Sequence, residues 1–322
     1  SVVYIEDDNT VSVGSGPAKQ LERISRLPND FRTKITQRTL VGVKRLMKPD
    51  VTFCGQSHID IITAILSKIK SQCEASCRFN KSIEGIVLTH PVEFEEWKVE
   101  MLKTAMKRAG FKKYKLLLEP EAAALYALKS GIVPSSARGI LVYDFGGGTF
   151  DVAYLYKEAD GTLCHKVESQ GDSQCGGSDI DKLLYTNWEH FVKETKNRSI
   201  STKKGIADMQ FLKQCEDEKI LLSQMTSIPC SELLPPIDNQ LVCAERTITR
   251  QDFNDIITPV IEKTIAKTRI LVNDIKTKNL PLDCVILIGG SSRIPLVKEK
   301  VQELVGDSVE IRTTGLTDVA VA

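Results

Sequence analysis

The sequence predicts an α/β protein with mixed sheets, on three observations. Short unbroken aliphatic runs at residues 85–89 (GIVLT), 139–143 (GILVY) and 284–288 (CVILI) have the length and continuity of strands buried on both faces. Each is followed by a stretch whose apolar residues recur at helical spacing. Between residues 144 and 161 the pattern becomes DFGGGTFDVAYLYKEADG, which reads as a strand end, a tight glycine turn, an alternating strand and a second turn.

Taken in order, the opening SVVYIEDD has the character of a strand, and residues 58–77 that of a helix. Residues 94–110 (FEEWKVEMLKTAMKRAG) place Trp97, Met101, Leu102, Ala105 and Met106 on one helical face. Acids occupy the first turn and Gly110 ends the run. Further helices are predicted at 121–129, 179–193, 206–225, 249–274 and 296–304. In residues 226–239, Pro229, Pro235 and Pro236 bound an edge strand or a loop.

With 322 residues, 42% hydrophobic and 26% charged, the chain is long enough for two lobes with their own cores, and disordered and collagen-like classes are excluded. Lys and Arg number 43 against 42 Asp and Glu, a net charge of +1, so neither nucleic acid nor a membrane surface is an expected partner. An anionic ligand would have to be met locally. Nine cysteines, an odd number in a long chain, point to a reducing compartment, and the cytoplasm is expected. Cys73 and Cys77 lack a second pair at zinc spacing and read as small buried thiols. No apolar run approaches the ~20 residues of a membrane span, and a start within a strand suggests a trimmed chain.

Three motifs could carry chemistry. In residues 142–155 (VYDFGGGTFDVAYL), Gly146, Gly147 and Gly148 let the backbone turn sharply and bring N–H groups toward a phosphate. Asp144 at the strand end could hold Mg²⁺, which favours one or two carboxylates plus substrate phosphates, and Thr149 could direct its hydroxyl at the terminal phosphate. A hairpin that only satisfies its own donors is the plain alternative, opposed by the flanking Asp144, Thr149 and Asp151. In residues 284–295 (CVILIGGSSRIP), Gly289 and Gly290 permit close approach of a flat ligand before a helix start, although paired glycines also make ordinary turns. In residues 116–128 (LLLEPEAAALYAL), Glu119 is held extended before Pro120. There a carboxylate either binds metal-bound water or caps the helix.

Together these residues resemble the nucleotide-binding domain of the seventy-kilodalton heat-shock chaperones, DnaK-like members of the actin, hexokinase and chaperone ATPase superfamily. The family's DLGGGTFDVS is similar to residues 144–153, its NEPTAAA to 118–124 and its GGSTRIP to 289–295. The resemblance implies an actin-like ATPase fold of two lobes, each a mixed sheet flanked by helices around a nucleotide cleft. Residues 1–130 would form lobe I, 131–307 lobe II, and 308–322 would return to lobe I.

The same resemblance implies slow hydrolysis of ATP to ADP and phosphate with Mg²⁺ and K⁺. Lys44, in VKRLM, matches the catalytic lysine, and Glu119 and Asp144 match acids around the magnesium and its waters. Thr149 and the 146–148 glycines face the phosphates, while Pro91 and Asp151 match the switch. Gly176 and Gly177 match a glycine pair beside the phosphates. Glu216, Lys219 and Ser223 match ribose and adenine contacts, with Gly289, Gly290, Ser291, Arg293 and Ile294 over the adenine and Asp318 on the ribose side. Expected partners are a J-domain co-chaperone, a nucleotide exchange factor and, through a domain outside this chain, unfolded peptides. A monomer is expected.

The chain also departs from the pattern. The family's first phosphate loop, of the form GIDLGTT, is absent, and Ser1 aligns just after its place; the stretch between Lys44 and Ser57 is shortened. Ile220 stands where the family has an arginine against adenine, and Ser178 replaces an acid. These departures support an alternative, a non-hydrolysing chaperone-regulatory pseudo-ATPase, which retention of Lys44, Asp144 and Thr149 opposes. A sugar or acetate kinase of the superfamily fits the GGGTFDV and GGSSRIP matches poorly.

Overall fold

A computed structural model describes residues 2–22, 29–76, 82–200, 206–237 and 240–313. The chain divides into two compact units, Ser1–His90 with Phe94–Leu117, and Pro91–Glu93 with Leu118–Ala322.

The first unit opens with β1 (Val2–Ile5), β2 (Val11–Val13), α1 (Ser15–Glu22), α2 (Asn29–Gln37), β3 (Thr39–Val41) and α3 (Val43–Leu46). Strands β2, β1 and β3 form an antiparallel sheet in that order. After the small β4 (Thr52–Phe53) and β5 (Gln56–Ser57) hairpin come α4 (His58–Ser76), β6 (Gly85–His90), α5 (Glu96–Arg108) and β7 (Lys113–Leu118), with β6 and β7 paired. Helix α5 buries Met101, Leu102, Ala105 and Met106, as its spacing predicts, against Ile61, Ile62 and Leu66 of α4. It ends at Ala109, with Gly110 at φ 79° leading the chain away.

The second unit continues with α6 (Glu119–Lys129), β8 (Gly139–Phe145), β9 (Phe150–Lys157), β10 (Leu163–His165) and β11 (Gln170–Asp172). Then follow α7 (Gly177–Lys196), α8 (Ile206–Leu222), β12 (Ser227–Ile237), β13 (Gln240–Thr249), α9 (Arg250–Thr277), β14 (Cys284–Ile288), α10 (Pro295–Val305) and β15 (Glu310–Thr313). One mixed sheet runs β10-β9-β8-β14-β15, with β11 also on β9. Strand β14 is parallel to β8 and β15, while β8 and β9 are antiparallel.

Alternate residues of the central strands serve two cores. Leu141, Tyr143, Phe145, Val285 and Leu287 face the large core built with α7, α8 and α9. Ile140, Val142, Cys284, Ile286 and Ile288 face a smaller core closed by Ala123, Ala124 and Ala127 of α6. Burial on both faces is why these strands read as unbroken apolar runs. The small alanine face of α6 seats it on the second unit's sheet, and α6 accordingly belongs to the unit that resumes at Leu118.

Residues 226–239 contain a strand. Within its described residues β12 pairs only with β13, an edge position that tolerates Pro229, and its register shifts between Leu234 and Ile237 around Pro235 and Pro236. Among the described residues no helix is long and apolar enough to cross a membrane.

Candidate functional site

Three glycine segments meet at one end of the second unit's sheet. The β8–β9 hairpin is closed by the Gly146 N–H donating to the Thr149 carbonyl at 3.0 Å. The start of α7 docks on this turn: Gly177 N–H donates to Gly146 O at 3.0 Å and Ser178 N–H to Gly147 O at 2.8 Å. The packing is so close that a Cβ on Gly176 would lie 2.5 Å from Gly148 Cα. The Gly176 N–H donates to Asp179 Oδ2 at 2.9 Å, which fixes the helix entry.

The third segment enters after β14. Gly289 has φ 83°, a conformation that favours glycine, and a Cβ there would stand 2.3 Å from the Phe145 carbonyl oxygen. The turn Gly290–Arg293 follows, and buried Ser291 donates through Oγ to Gly146 O at 2.9 Å. The β8–β9 turn is thus gripped from both sides through its carbonyls. A Cβ at Gly147 or Gly290 would meet nothing within 4 Å, so these two positions border open space.

Two carboxylates flank the β8–β9 turn in the chain. Asp144 and Asp151 are direct partners across the β8–β9 ladder and therefore share a face, the one that α6 covers. Asp144 is half-buried and Asp151 is 1% exposed. Asp151 Oδ1 accepts the Val92 N–H at 2.8 Å, which ties the Pro91 segment to β9. Glu119, also buried, opens α6, whose first turn is braced by the Leu118 N–H donating to Glu121 Oε2 at 3.1 Å.

On α8, Lys219 is buried, with Nζ 2.7 Å from Asp181 Oδ1 of α7, and it donates to the Gly177 carbonyl at 3.2 Å. Ser223 Oγ donates back to Lys219 O at 2.8 Å, and Glu216 pairs with Lys213 at 2.9 Å. Ile220 is 46% exposed on the same helix.

The structure therefore brings together Gly146, Gly147, Gly148, Thr149, Gly176, Gly177, Lys219, Gly289 and Ser291, and links Asp151 to the Pro91 segment. Lys44 is exposed on α3 of the first unit, after Gly42 turns the chain at φ 70°. Arg293 is exposed. The Ile294 side chain is 1% exposed and packs in the large core, where it anchors the turn. Asp318 lies outside the described residues. Sequence reasoning missed Asp181; the run GGSDID offers two acids, and only the packing of α7 on α8 shows which one meets Lys219.

The profile of the Hsp70 protein family matches residues 18–322, nearly the whole chain. The chain belongs to the Hsp70 family. It is 30% identical over 281 residues to a chaperone protein DnaK of Nitrosopumilus maritimus (strain SCM1), a match covering 84% of this chain and 43% of that relative. The chain thus spans less than half the length of that curated relative. Membership of Hsp70 carries the actin-like ATPase fold, and the mixed sheet flanked by α6 and by α7, α8 and α9 agrees with it. At the glycine junction the 144–153 and 289–295 motifs recognised in the sequence meet.

Proposed function

We propose that this chain binds ATP and hydrolyses it slowly to ADP and phosphate, as the nucleotide-driven part of a heat-shock-70-type chaperone. The observation that carries the reading is the meeting of the 146–149 turn, the 176–177 helix entry and the 289–291 turn at one place bordered by open space. Backbone N–H groups of a glycine turn are suited to phosphate oxygens, and a preorganised turn loses little freedom on binding them. Gly289 and Gly290 would admit adenosine, with Glu216 and Ser223 on the sugar side.

Bound Mg²⁺, with K⁺ beside it, would neutralise charge on the phosphates. Asp144 and Glu119 would hold it through water, and Thr149 would direct its hydroxyl toward the terminal phosphate. Lys44 is the ammonium proposed to orient the attacking water and stabilise charge in phosphoryl transfer. The bond from Asp151 to the Val92 N–H supports Pro91 and Asp151 as the route by which the nucleotide state reaches the rest of the chain. Through lobe closure that state would control peptide binding by a domain outside this chain, with a J-domain co-chaperone and an exchange factor as partners.

Single-turnover hydrolysis of radiolabelled ATP, with and without Mg²⁺, tests this. Magnesium-dependent phosphate release is expected, lost in Lys44→Ala while nucleotide binding remains, because the lysine acts on the transferring charge. The second reading, a regulatory pseudo-ATPase, draws on exposed Ile220 where the family has an arginine. Nucleotide binding without release would establish it.

A further inference from the structure

An open pocket of about 430 Å³ lies in the second unit where the far half of α7 meets β13 and the first turns of α9, lined by Phe191, Arg246, Ile248, Asp252, Asp255 and Ile256. Three kinds of surface meet in it. Phe191, Ile248 and Ile256 are apolar. Asp252 and Asp255 are exposed and, three residues apart, share one face of α9. Each spends one oxygen locally, Asp252 on Thr249 and Asp255 on Gln251, which holds both in place. Arg246 supplies a cation. Its guanidinium lies 4.0 Å from the centre of the Trp188 ring and 5.1 Å from that of Phe191, and Nη1 donates to Asn187 Oδ1 at 2.7 Å. The opposite edge of the same group is unmet: among the described residues Nε and Nη2 have no hydrogen-bond partner, although both are covered. Buried Glu218 does not serve them, being taken by Trp188 Nε1 at 2.9 Å and Gln214 Nε2 at 3.0 Å. Covered donors of a charged group without an acceptor are costly, and that edge of a guanidinium matches a carboxylate in two parallel bonds. A bare anion, however, is repelled by the two aspartates, and a bare cation by Arg246.

We propose that this pocket binds a small zwitterion with an apolar side chain, a molecule of the amino-acid class. Its carboxylate takes the Nε–Nη2 edge of Arg246, its ammonium lies against Asp252 and Asp255, and its side chain packs on Phe191, Ile248 and Ile256. Because both nitrogens are covered, the carboxylate reaches them only as the guanidinium turns on the indole beneath it, so Trp188 reports occupancy. The pocket shares no residue with the glycine junction and does not rest on the nucleotide reading.

The test is calorimetric titration of the chain with L-phenylalanine, L-phenylalaninamide and N-acetyl-L-phenylalanine, read alongside Trp188 emission in a Trp97→Phe background, which removes the other tryptophan. The amide lacks the carboxylate and imitates the first residue of a peptide; the acetyl compound lacks the ammonium and imitates the last. L-phenylalanine should bind one-to-one at millimolar concentration or below and change Trp188 emission. Each analogue should bind at least about tenfold more weakly, the effect of one hydrogen bond to a charged group. Asp255→Asn, a change at an exposed position, should weaken L-phenylalanine severalfold and leave the acetyl compound no weaker. Arg246→Lys keeps the charge but loses the fork, and should bind L-phenylalanine and the amide about equally. No binding of L-phenylalanine by the wild type, or an analogue that binds as tightly, would overturn the proposed class of ligand. Binding that leaves both Trp188 emission and the affinity of Asp255→Asn unchanged would overturn the site. Both of these outcomes are read without Arg246→Lys, so a folding defect in that variant does not shield the proposal.

Discussion

Gly289 shows how much of the site rests on single positions. Its φ is 83°, and a methyl carbon added there would stand 2.3 Å from the Phe145 carbonyl oxygen, so any side chain must push the turn off β8. Gly289→Ala should cost about 1–3 kcal/mol in backbone strain and weaken Mg·ADP binding at least tenfold while leaving the helical circular dichroism intact. Unchanged affinity would remove the 289–291 turn from the binding site. Residues of this kind are legible in the sequence because glycine is the side chain the geometry demands. Charged side chains are less so. Lys219 can be placed on a helix face but not assigned a partner, since Asp181 is 38 positions away and reaches it only through packing of α7 on α8. Ile294 is ambiguous in the sequence, because an isoleucine beside a glycine turn fits a ligand wall and a core equally well; its burial comes from packing that the sequence does not display.

At the scale of elements, α7 is the piece that connects the site to the core. Its first turn holds the glycine junction, and further along it Trp188 is fully buried, with Nε1 donating to Glu218 Oε2 of α8 at 2.9 Å. The Arg246 guanidinium of β13 lies 4.0 Å from the centre of the Trp188 ring and donates to Asn187 Oδ1 at 2.7 Å. One indole thereby joins α7, α8 and β13. Trp188→Phe keeps an aromatic ring but strips buried Glu218 of a donor, which should cost about 1–3 kcal/mol and lower Tm by about 2–4 °C per kcal/mol. Scanning calorimetry that finds no change in Tm would contradict this role. Elements with strong periodicity are the legible ones: β8 and β14, buried on both faces, and α5, α7 and α9 with their apolar stripes. The short strands β2 and β3 and helices α1 and α2 are not. Three-residue strands and polar helices of eight or nine residues carry too few apolar repeats to stand out, and packing makes them.

At the scale of the whole molecule, a nearly neutral chain has to meet an anionic ligand through local geometry. A net charge of +1 supplies no long-range attraction, and under the proposed function the glycine segments recognise the phosphates of the nucleotide at short range. Calorimetric titration with Mg·ADP against adenosine tests this most directly. Hydrogen bonds to charged groups contribute about 1.5–3 kcal/mol each, so one-to-one binding of Mg·ADP, at least tenfold tighter than adenosine, is the predicted result. No binding of either, or adenosine binding as tightly as ADP, would contradict it.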